Sequence, residues 1–447
     1  MDDKSLHDLL NGALAGEPPL GPVAQNALAA GIRLRRSRRI RAAAAATAAA
    51  AVIAVTIPVG LGVRGHLAGP EQPPGTPILY VGTYTSKLHT RHTYGGTVVP
   101  INTATNTPGT PIQLVGGPNS PTIADNVGKI AITPNGKTAY VTTDSSVTPV
   151  STATNTPGRP IHIAPSANGF DYPDFIAITP DGKTAYVASG WGTVTPISTA
   201  TNTPGKPIPV GSGPVWIAIT PDGKTAYVAS KSGTVTPIST ASNPPGKPIP
   251  VGAADFSIAG GGFIAITPDG KTAYVANVSG TVVPISTATN TPGKPIRVHK
   301  GGQIWWAAIT PDGKTLYVLT WGGAGPNQFV VTPISTATNT PGKPIPVGTT
   351  SFIGTDIGVG QIAITPDGKT AYAANSSSVT PINTTTNTPG KPIHIAGLLQ
   401  IAITPDGKTV YAANNVGTIT PINTTTNTPG KPIHVVGNFT QAIAITP

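Results

Sequence analysis

Residues 175–208 read FIAITPDGKTAYVASGWGTVTPISTATNTPGKPI, and most of the chain is built from units of this kind. The segments rich in Ile, Val, Thr and Tyr are short and are bounded by turn-forming residues, a pattern that predicts four β-strands. Asp181-Gly182 fits a tight hairpin turn, because glycine adopts positive φ without strain. A second turn is predicted at residues 202–205, Asn-Thr-Pro-Gly, before the last strand.

The unit recurs from residue 77 to the end of the sequence. Asn-Thr-Pro-Gly or a close variant follows every third strand, and seven periods between the first and last copies average about 46 residues. Its asparagines are Asn106, Asn155, Asn202, Asn243, Asn290, Asn339, Asn387 and Asn427. Four strands in a repeat of this length are typical of a β-propeller blade, so we predict an all-β propeller.

The count of strands predicts how the ring closes. There are eight second strands with a tyrosine, from Tyr80 to Tyr411, and the first of them has no inner strand before it. The sequence ends on an unmatched copy of that inner strand, residues 443–447. We expect this segment to pair beside residues 78–82, which would leave no open sheet edge between the first and last blades. Eight blades follow from this count, and seven is the alternative.

The repeats resemble the YVTN family of β-propeller proteins. The name-giving strand matches Tyr274-Val275-Ala276-Asn277, and the flanking Pro-Asp-Gly-Lys and Thr-Ala-Thr-Asn sequences also match. The resemblance covers residues 77–447 and implies a propeller of the lactonase-like or surface-layer type. In one departure, the aspartate common after the third strand is replaced by Ser198, Ser239 or Asn383.

A proline lies inside the third strand of every repeat, where it removes a hydrogen-bond donor from the sheet. These residues are Pro100, Pro149, Pro196, Pro237, Pro284, Pro333, Pro381 and Pro421. The missing donor is tolerated where it faces a short outer strand. We therefore predict weak pairing between the third and fourth strands.

The N-terminal part predicts a membrane anchor. Residues 1–41 form a short basic tail, 42–63 carry no charge, and 64–76 are a Pro- and Gly-rich linker before the propeller at 77–447. Twenty-two residues at 1.5 Å each span about 33 Å, enough for the hydrocarbon core. Arginines directly before the segment predict a cytoplasmic N-terminus and an extracytoplasmic propeller.

Two alternatives to an anchor remain for residues 42–63. A cleaved export signal is one, although the best cleavage site, near Ala68, has His66 two positions earlier. A buried soluble helix is the other, because the segment is rich in alanine and only mildly apolar. Cleavage would make the propeller a secreted protein.

Composition excludes several classes. The chain has 53 Gly and 50 Pro in 447 residues, but they recur at fixed repeat positions rather than in a disordered tract. With no cysteine, disulfides, thiolate metal sites and lipid attachment through Cys are excluded. The net charge is +11, but the basic residues are spread around the repeats, whereas a nucleic-acid binder would cluster them. We expect no nucleic-acid partner.

Binding is predicted on the face formed by the variable loops, because the opposite face repeats the same two turns in every blade. Ligand-binding candidates there are Trp191, Trp305, Trp321 and Phe329, which we expect to be exposed. Phe175, Trp216, Phe263 and Trp306 share one position before Ala-Ile-Thr or Ile-Ala-Ile and can instead wedge between blades near the channel. A cell-envelope polymer or a protein is the expected ligand.

No catalytic constellation stands out. Asp171, Asp174 and His299 are weak candidates for a general base, and loop turns or solvated side chains explain such residues better. No metal site and no cofactor are expected, and nothing specific supports Ca²⁺. The sequence therefore favours a membrane-anchored binding or scaffold module at the cell surface. The alternatives are a lactonase-like hydrolase and a passive structural wall protein.

Overall fold

The computed structural model describes residues 76–84, 96–114, 127–144, 146–163, 173–190, 192–252, 263–277, 280–298, 302–322, 327–349, 360–437 and 439–447. These residues all belong to one compact unit, Ala68–Pro447. In these ranges no helix has the length and apolar character needed to cross a membrane. The predicted anchor at 42–63 lies outside the described residues.

The described residues form eight antiparallel sheets, one per repeat, in the order inner, second, third and outer strand. The inner strands are Phe439–Ile445, Ile130–Ile132, Pro173–Ile178, Pro214–Ile219, Phe263–Ile266, Gln303–Ile309, Gln361–Ile364 and Leu398–Ile403. The second strands are Ile78–Tyr84, Thr138–Thr142, Thr184–Ser189, Thr225–Ser230, Thr272–Ala276, Thr315–Trp321, Thr370–Asn375 and Thr409–Asn414. The third strands are Thr97–Asn102, Ser146–Ser151, Thr193–Ser198, Thr234–Ser239, Thr281–Ser286, Gln328–Ser335, Ser378–Asn383 and Thr418–Asn423. We number the blades 1 to 8 by their second strands.

The chain closes the ring as the sequence predicts. The C-terminal strand Phe439–Ile445 pairs antiparallel with Ile78–Tyr84, so blade 1 contains both ends of the propeller. Just beyond it, Thr446 accepts a hydrogen bond from the backbone N–H of Ile78 through its hydroxyl (2.8 Å) and donates its own N–H to the Ile78 carbonyl (2.9 Å). The prediction of eight blades is confirmed.

Each outer strand is divided where the third strand carries its proline. In blade 3 the two pieces pair with the third strand on either side of Pro196, each through two residue pairs. Gly205 lies between the pieces and donates its N–H to the Pro196 carbonyl at 2.7 Å. A Cβ on Gly205 would lie 3.1 Å from Pro196 Cγ, so the tight contact favours glycine. The predicted weak pairing of the outer strand is confirmed.

The other blades repeat this division, except that the second piece of blade 6 is longer and pairs with the third strand through four residue pairs. The first outer pieces are Thr107–Pro108, Thr156–Pro157, Thr203–Pro204, Thr291–Pro292, Thr340–Pro341, Thr388–Pro389 and Thr428–Pro429. The second are Ile112–Gln113, Ile161–His162, Ile208–Pro209, Ile249–Pro250, Ile296–Arg297, Ile345–Thr349, Ile393–His394 and Ile433–His434. Blade 4 keeps only a bridge between Ile238 and Pro245 in place of the first piece, since Pro244 has no N–H to donate.

The core lies between the blades. One face of each sheet packs on the opposite face of the next, which gives an apolar cluster at every blade interface. At the closing interface, Tyr411 and Ile419 of blade 8 pack with Leu79 and Ile101 of blade 1. This interface therefore has the same construction as the other seven.

Every interface also contains a hydrogen bond from a buried tyrosine to the next blade. The tyrosine hydroxyl donates to the side-chain oxygen of the asparagine in the Asn-Thr-Pro-Gly or equivalent turn of the next blade, at 2.6–2.7 Å. The pairs are Tyr80–Asn155, Tyr140–Asn202, Tyr186–Asn243, Tyr227–Asn290, Tyr274–Asn339, Tyr317–Asn387, Tyr372–Asn427 and Tyr411–Asn106. These asparagines have φ between 53° and 65°, a left-handed conformation that asparagine tolerates better than most residues.

The Asp-Gly turns are held by local hydrogen bonds. Asp181 Oδ1 accepts the Thr179 hydroxyl at 2.6 Å and the Lys183 N–H at 3.0 Å. These bonds favour the ionised carboxylate, so the Thr179 bond first and the Lys183 bond second lower the Asp181 pKa below its usual value of 3.8. In blade 2, Asn135 accepts the same two bonds without a charge.

We expect acid to destabilise the propeller through these turns. Six aspartates have a lowered pKa in the fold, so their contribution is complete above the unfolded pKa and is lost as the pH falls through the folded one. Replacing Asp181, Asp222, Asp269, Asp312, Asp367 and Asp406 by Asn, as blade 2 does naturally, should flatten this dependence. Urea unfolding midpoints measured between about pH 5 and pH 2 test it. Equal acid sensitivity of the variant and the natural protein would contradict it.

A candidate ligand site in the central channel

The inner strands surround a central channel, each lying beside the inner strands of the two neighbouring blades. One position in each inner strand, directly before the Ile-Ala-Ile or equivalent segment, differs sharply between blades. We call it the channel position. From the inner strand of blade 2 around to that of blade 1 it holds Lys129, Phe175, Trp216, Phe263, Trp306, Gln361, Gln400 and Ala442. Because the repeats are otherwise similar, the differing residues at the channel position are a marked break in the eightfold symmetry of the blades.

Four consecutive blades place aromatic rings at the channel position, and we call Phe175, Trp216, Phe263 and Trp306 the aromatic arc. Ring centroids of neighbours along the arc are 5.4 Å, 4.7 Å and 4.5 Å apart. Trp216 and Trp306 also meet edge to face at 5.5 Å, although blade 5 separates their strands. The rings therefore converge towards the channel axis.

The arc is only partly covered. Phe263 is buried, whereas the side chains of Phe175, Trp216 and Trp306 remain half-buried. All four pack against the apolar clusters between blades, as expected for residues wedged at the channel. They thus combine a structural role with accessible aromatic surface.

The opposite part of the ring uses amides. Gln361 Oε1 accepts the N–H of Ile401 in the next blade at 2.7 Å, and Gln400 Oε1 accepts the N–H of Ile443 at 3.0 Å. Gln400 Nε2 donates to the carbonyl of Gln441 at 2.7 Å. Amide hydrogen bonds therefore join inner strands here, as ring contacts do along the arc.

Polar groups flank both ends of the arc. The Lys129 ammonium lies 5.7 Å from the Phe175 ring centroid, within the range of a cation–π interaction. Gln361 follows Trp306 at the other end. The channel position thus presents a cation, four aromatic rings and a carboxamide in succession around the ring.

The expectation that Trp305 and Phe329 are exposed is wrong. Trp305 is 7% exposed and Phe329 0%, and their ring centroids lie 6.3 Å apart in the cluster between blades 6 and 7. Gly360 lies so close to this pair that a Cβ there would be 2.9 Å from Trp305 Cβ. Trp321 is half-buried against the same cluster. These side chains fill a blade interface, and their role in ligand binding stays a prediction.

Most of the remaining predicted site residues lie outside the described part of the chain. Trp191, Asp171 and His299 lie outside the described residues, and Asp174 is described only in the backbone of strand Pro173–Ile178. Three histidines lie exposed on outer strand pieces, at a position that other repeats fill with proline or arginine: His162, His394 and His434. Within the described ranges, no three His, Asp or Glu side chains cluster as a metal would require.

The blades and their channel define the chain as an eight-bladed β-propeller. No protein-family model matches the sequence, and no curated protein matches it. Among solved structures it is similar to Kuenenia stuttgartiensis hydrazine synthase, with 23% identity and a TM-score of 0.53, over 70% of this chain and 99% of that one. It is also similar to dihydro-heme d1 dehydrogenase NirN in complex with DHE, with 14% identity and a TM-score of 0.60, over 82% of this chain and 74% of that one. At such identities the likeness concerns the fold alone.

Proposed function

We propose that this protein is a ligand-binding propeller displayed outside the cell by a membrane anchor at residues 42–63, and that the aromatic arc is its ligand site. The break in symmetry at the channel position carries the proposal. Outside the variable loops, the main features of the blade, from the Asp-Gly turn to the Tyr–Asn bond, repeat almost unchanged around the ring.

The propeller does not need aromatic side chains at the channel position to join neighbouring blades. Gln361 and Gln400 connect neighbouring inner strands through amide hydrogen bonds at the same position. The scaffold therefore does not require the half-exposed aromatic side chains of Trp216 and Trp306 at this position. Partly exposed aromatic surface with a few polar groups beside it is typical of small-molecule sites.

The residues around the arc indicate the kind of ligand. Aromatic rings offer a flat apolar surface, Lys129 places a positive charge at one end, and Gln361 places a carboxamide at the other. This set suits an organic anion with a flat apolar body. The similar solved structures include a synthase and a dehydrogenase bound to DHE, so ligand-binding proteins do occur among those that contain this fold.

Replacing Trp216 or Trp306 by Gln, the residue of blades 7 and 8, should weaken binding of 8-anilinonaphthalene-1-sulfonate, a flat aromatic anion, about tenfold. Energy transfer from tryptophan to this dye, titrated into the purified full-length chain, measures the affinity. Trp321→Gln serves as the control for the channel position, because it removes a tryptophan outside it, and it also tests the prediction that Trp321 binds the ligand. Unchanged affinity in both arc variants, or an equal loss in the control, would contradict the assignment.

The same preparations separate the alternative functions. Hydrolysis of lactones, with or without Ca²⁺, would favour an enzyme. Failure to retain dye would favour a passive structural protein. Either result would count against the binding proposal.

The anchor makes a separate prediction. In cells, the full-length chain should stay in the membrane fraction after a high-salt or carbonate wash, and detergent should release it. Val55→Arg places a charge within the apolar segment at a cost of about 2.5–3.5 kcal/mol and should lower the membrane-bound fraction. N-terminal sequencing gives the opposing outcome, because a mature protein that starts near Gly69 would show that the segment is cleaved.

A further inference from the structure

The outer rim of the propeller carries a ring of cations. The residue directly after each Asn-Thr-Pro-Gly or equivalent turn, which we call the rim position, lies between the two outer pieces, near the level of the third-strand proline. Seven of the eight rim positions are basic and exposed: Arg159, Lys206, Lys247, Lys294, Lys343, Lys391 and Lys431. Blade 1 has Thr110 instead.

A second set of lysines, in the Asp-Gly turns, forms ion pairs. Lys183 lies 3.5 Å from the carboxylate of Asp181 in its own turn, and five other turns have the same pair at 3.6–3.8 Å. Among the described residues no ion pair involves a rim position. The turn lysines are thus neutralised by a neighbouring carboxylate, whereas the rim positions are not.

Further basic groups lie on the same outer strands. Arg297 follows Lys294 by three residues, and His162, His394 and His434 follow their rim positions at the same spacing. All four side chains are exposed. Of these four, Arg297 adds a further positive charge to the rim.

We propose that the rim docks a flexible polyanion, a polymer with phosphate groups along its length. Unpaired cations recur in seven consecutive blades, so a flexible chain can follow them around the circumference. A flat anionic membrane would meet only one arc of such a rim. The outer pieces contain no Trp, Tyr or Phe on which nucleic-acid bases could stack, which favours a polymer recognised by its charge alone.

This surface is separate from the channel site and does not depend on it. Binding of a polyanion releases its condensed counterions, so affinity falls with salt in proportion to the number of contacts. For a single-stranded polymer that uses all seven rim cations, the slope of log K against log[salt] should be about −5.

Fluorescent long-chain inorganic polyphosphate tests the rim in the full-length chain, by anisotropy over a series of NaCl concentrations. The rim variant is K206Q/K247Q/K294Q/K343Q, and the matched turn variant is K183Q/K224Q/K271Q/K314Q. Both remove four positive charges from blades 3 to 6. We expect the rim variant to bind about tenfold or more weakly, with a slope of log K against log[salt] that is shallower by about 3. The affinity and the slope of the turn variant should change little.

Three outcomes would overturn the proposal. An equal loss in both variants would show that only net charge matters. A slope near zero would show that the rim makes no ionic contacts. Binding to vesicles of phosphatidylglycerol and phosphatidylcholine that depends on the rim more strongly than polyphosphate binding does would identify a membrane surface instead. Thermal unfolding of both variants checks that these exposed substitutions leave the fold intact.

Discussion

The hydrogen bond from each buried tyrosine to the next blade's asparagine is the constraint on which the propeller depends. The tyrosine ring fills the interface, and its hydroxyl must find a partner there because an unpaired buried polar group is costly. Burial also raises the tyrosine pKa, to about 12 for Tyr227, so the hydroxyl remains a donor at ordinary pH. The asparagine supplies the acceptor from a turn that requires positive φ.

This bond links two sequence signatures that otherwise look independent. The tyrosine of the second strand and the asparagine of the Asn-Thr-Pro-Gly turn recur together because each tyrosine donates to the asparagine of the next blade and each asparagine accepts from the tyrosine of the preceding one. The last pair, Tyr411 to Asn106, spans 305 residues and repeats the geometry of the others. Ring closure therefore needs no special device beyond the pairing of the C-terminal strand.

A scaffold with eight equivalent interfaces leaves other positions free to vary. At the channel position, aromatic rings and amides both join neighbouring inner strands, so the choice between them is open to function. At the rim, the break in the outer strand places a residue in solvent in every blade. Both proposed sites lie where the repeat makes no strong demand on the side chain.

Sequence periodicity was sufficient to predict the blade count, the closing strand and the weak outer pairing, because each follows from local strand and turn rules. It could not show that Tyr227 and Asn290 are partners, since the contact crosses between blades. Phe329 was wrongly expected to be exposed because the third strand of blade 6 begins at Gln328, and Trp305 because the inner strand already begins at Gln303. Both residues therefore lie within the sheet and pack in the interface, not in exposed loops.

Part of the channel site was also missed. The aromatic residues share a position that is visible in the sequence, and the other inner strands have Lys129, Gln361 and Gln400 at that same position. The cross-blade hydrogen bonds of the glutamines depend on the distance between inner strands, which a repeat pattern does not provide.

A double-mutant cycle on Tyr227 and Asn290 tests the central claim most directly. Tyr227→Phe removes the donor, Asn290→Gly removes the acceptor but keeps positive φ accessible, and urea unfolding of the single and double variants gives the coupling. We predict a coupling free energy of about 1 kcal/mol or more. A coupling near zero would show that the two residues do not hold adjacent blades together.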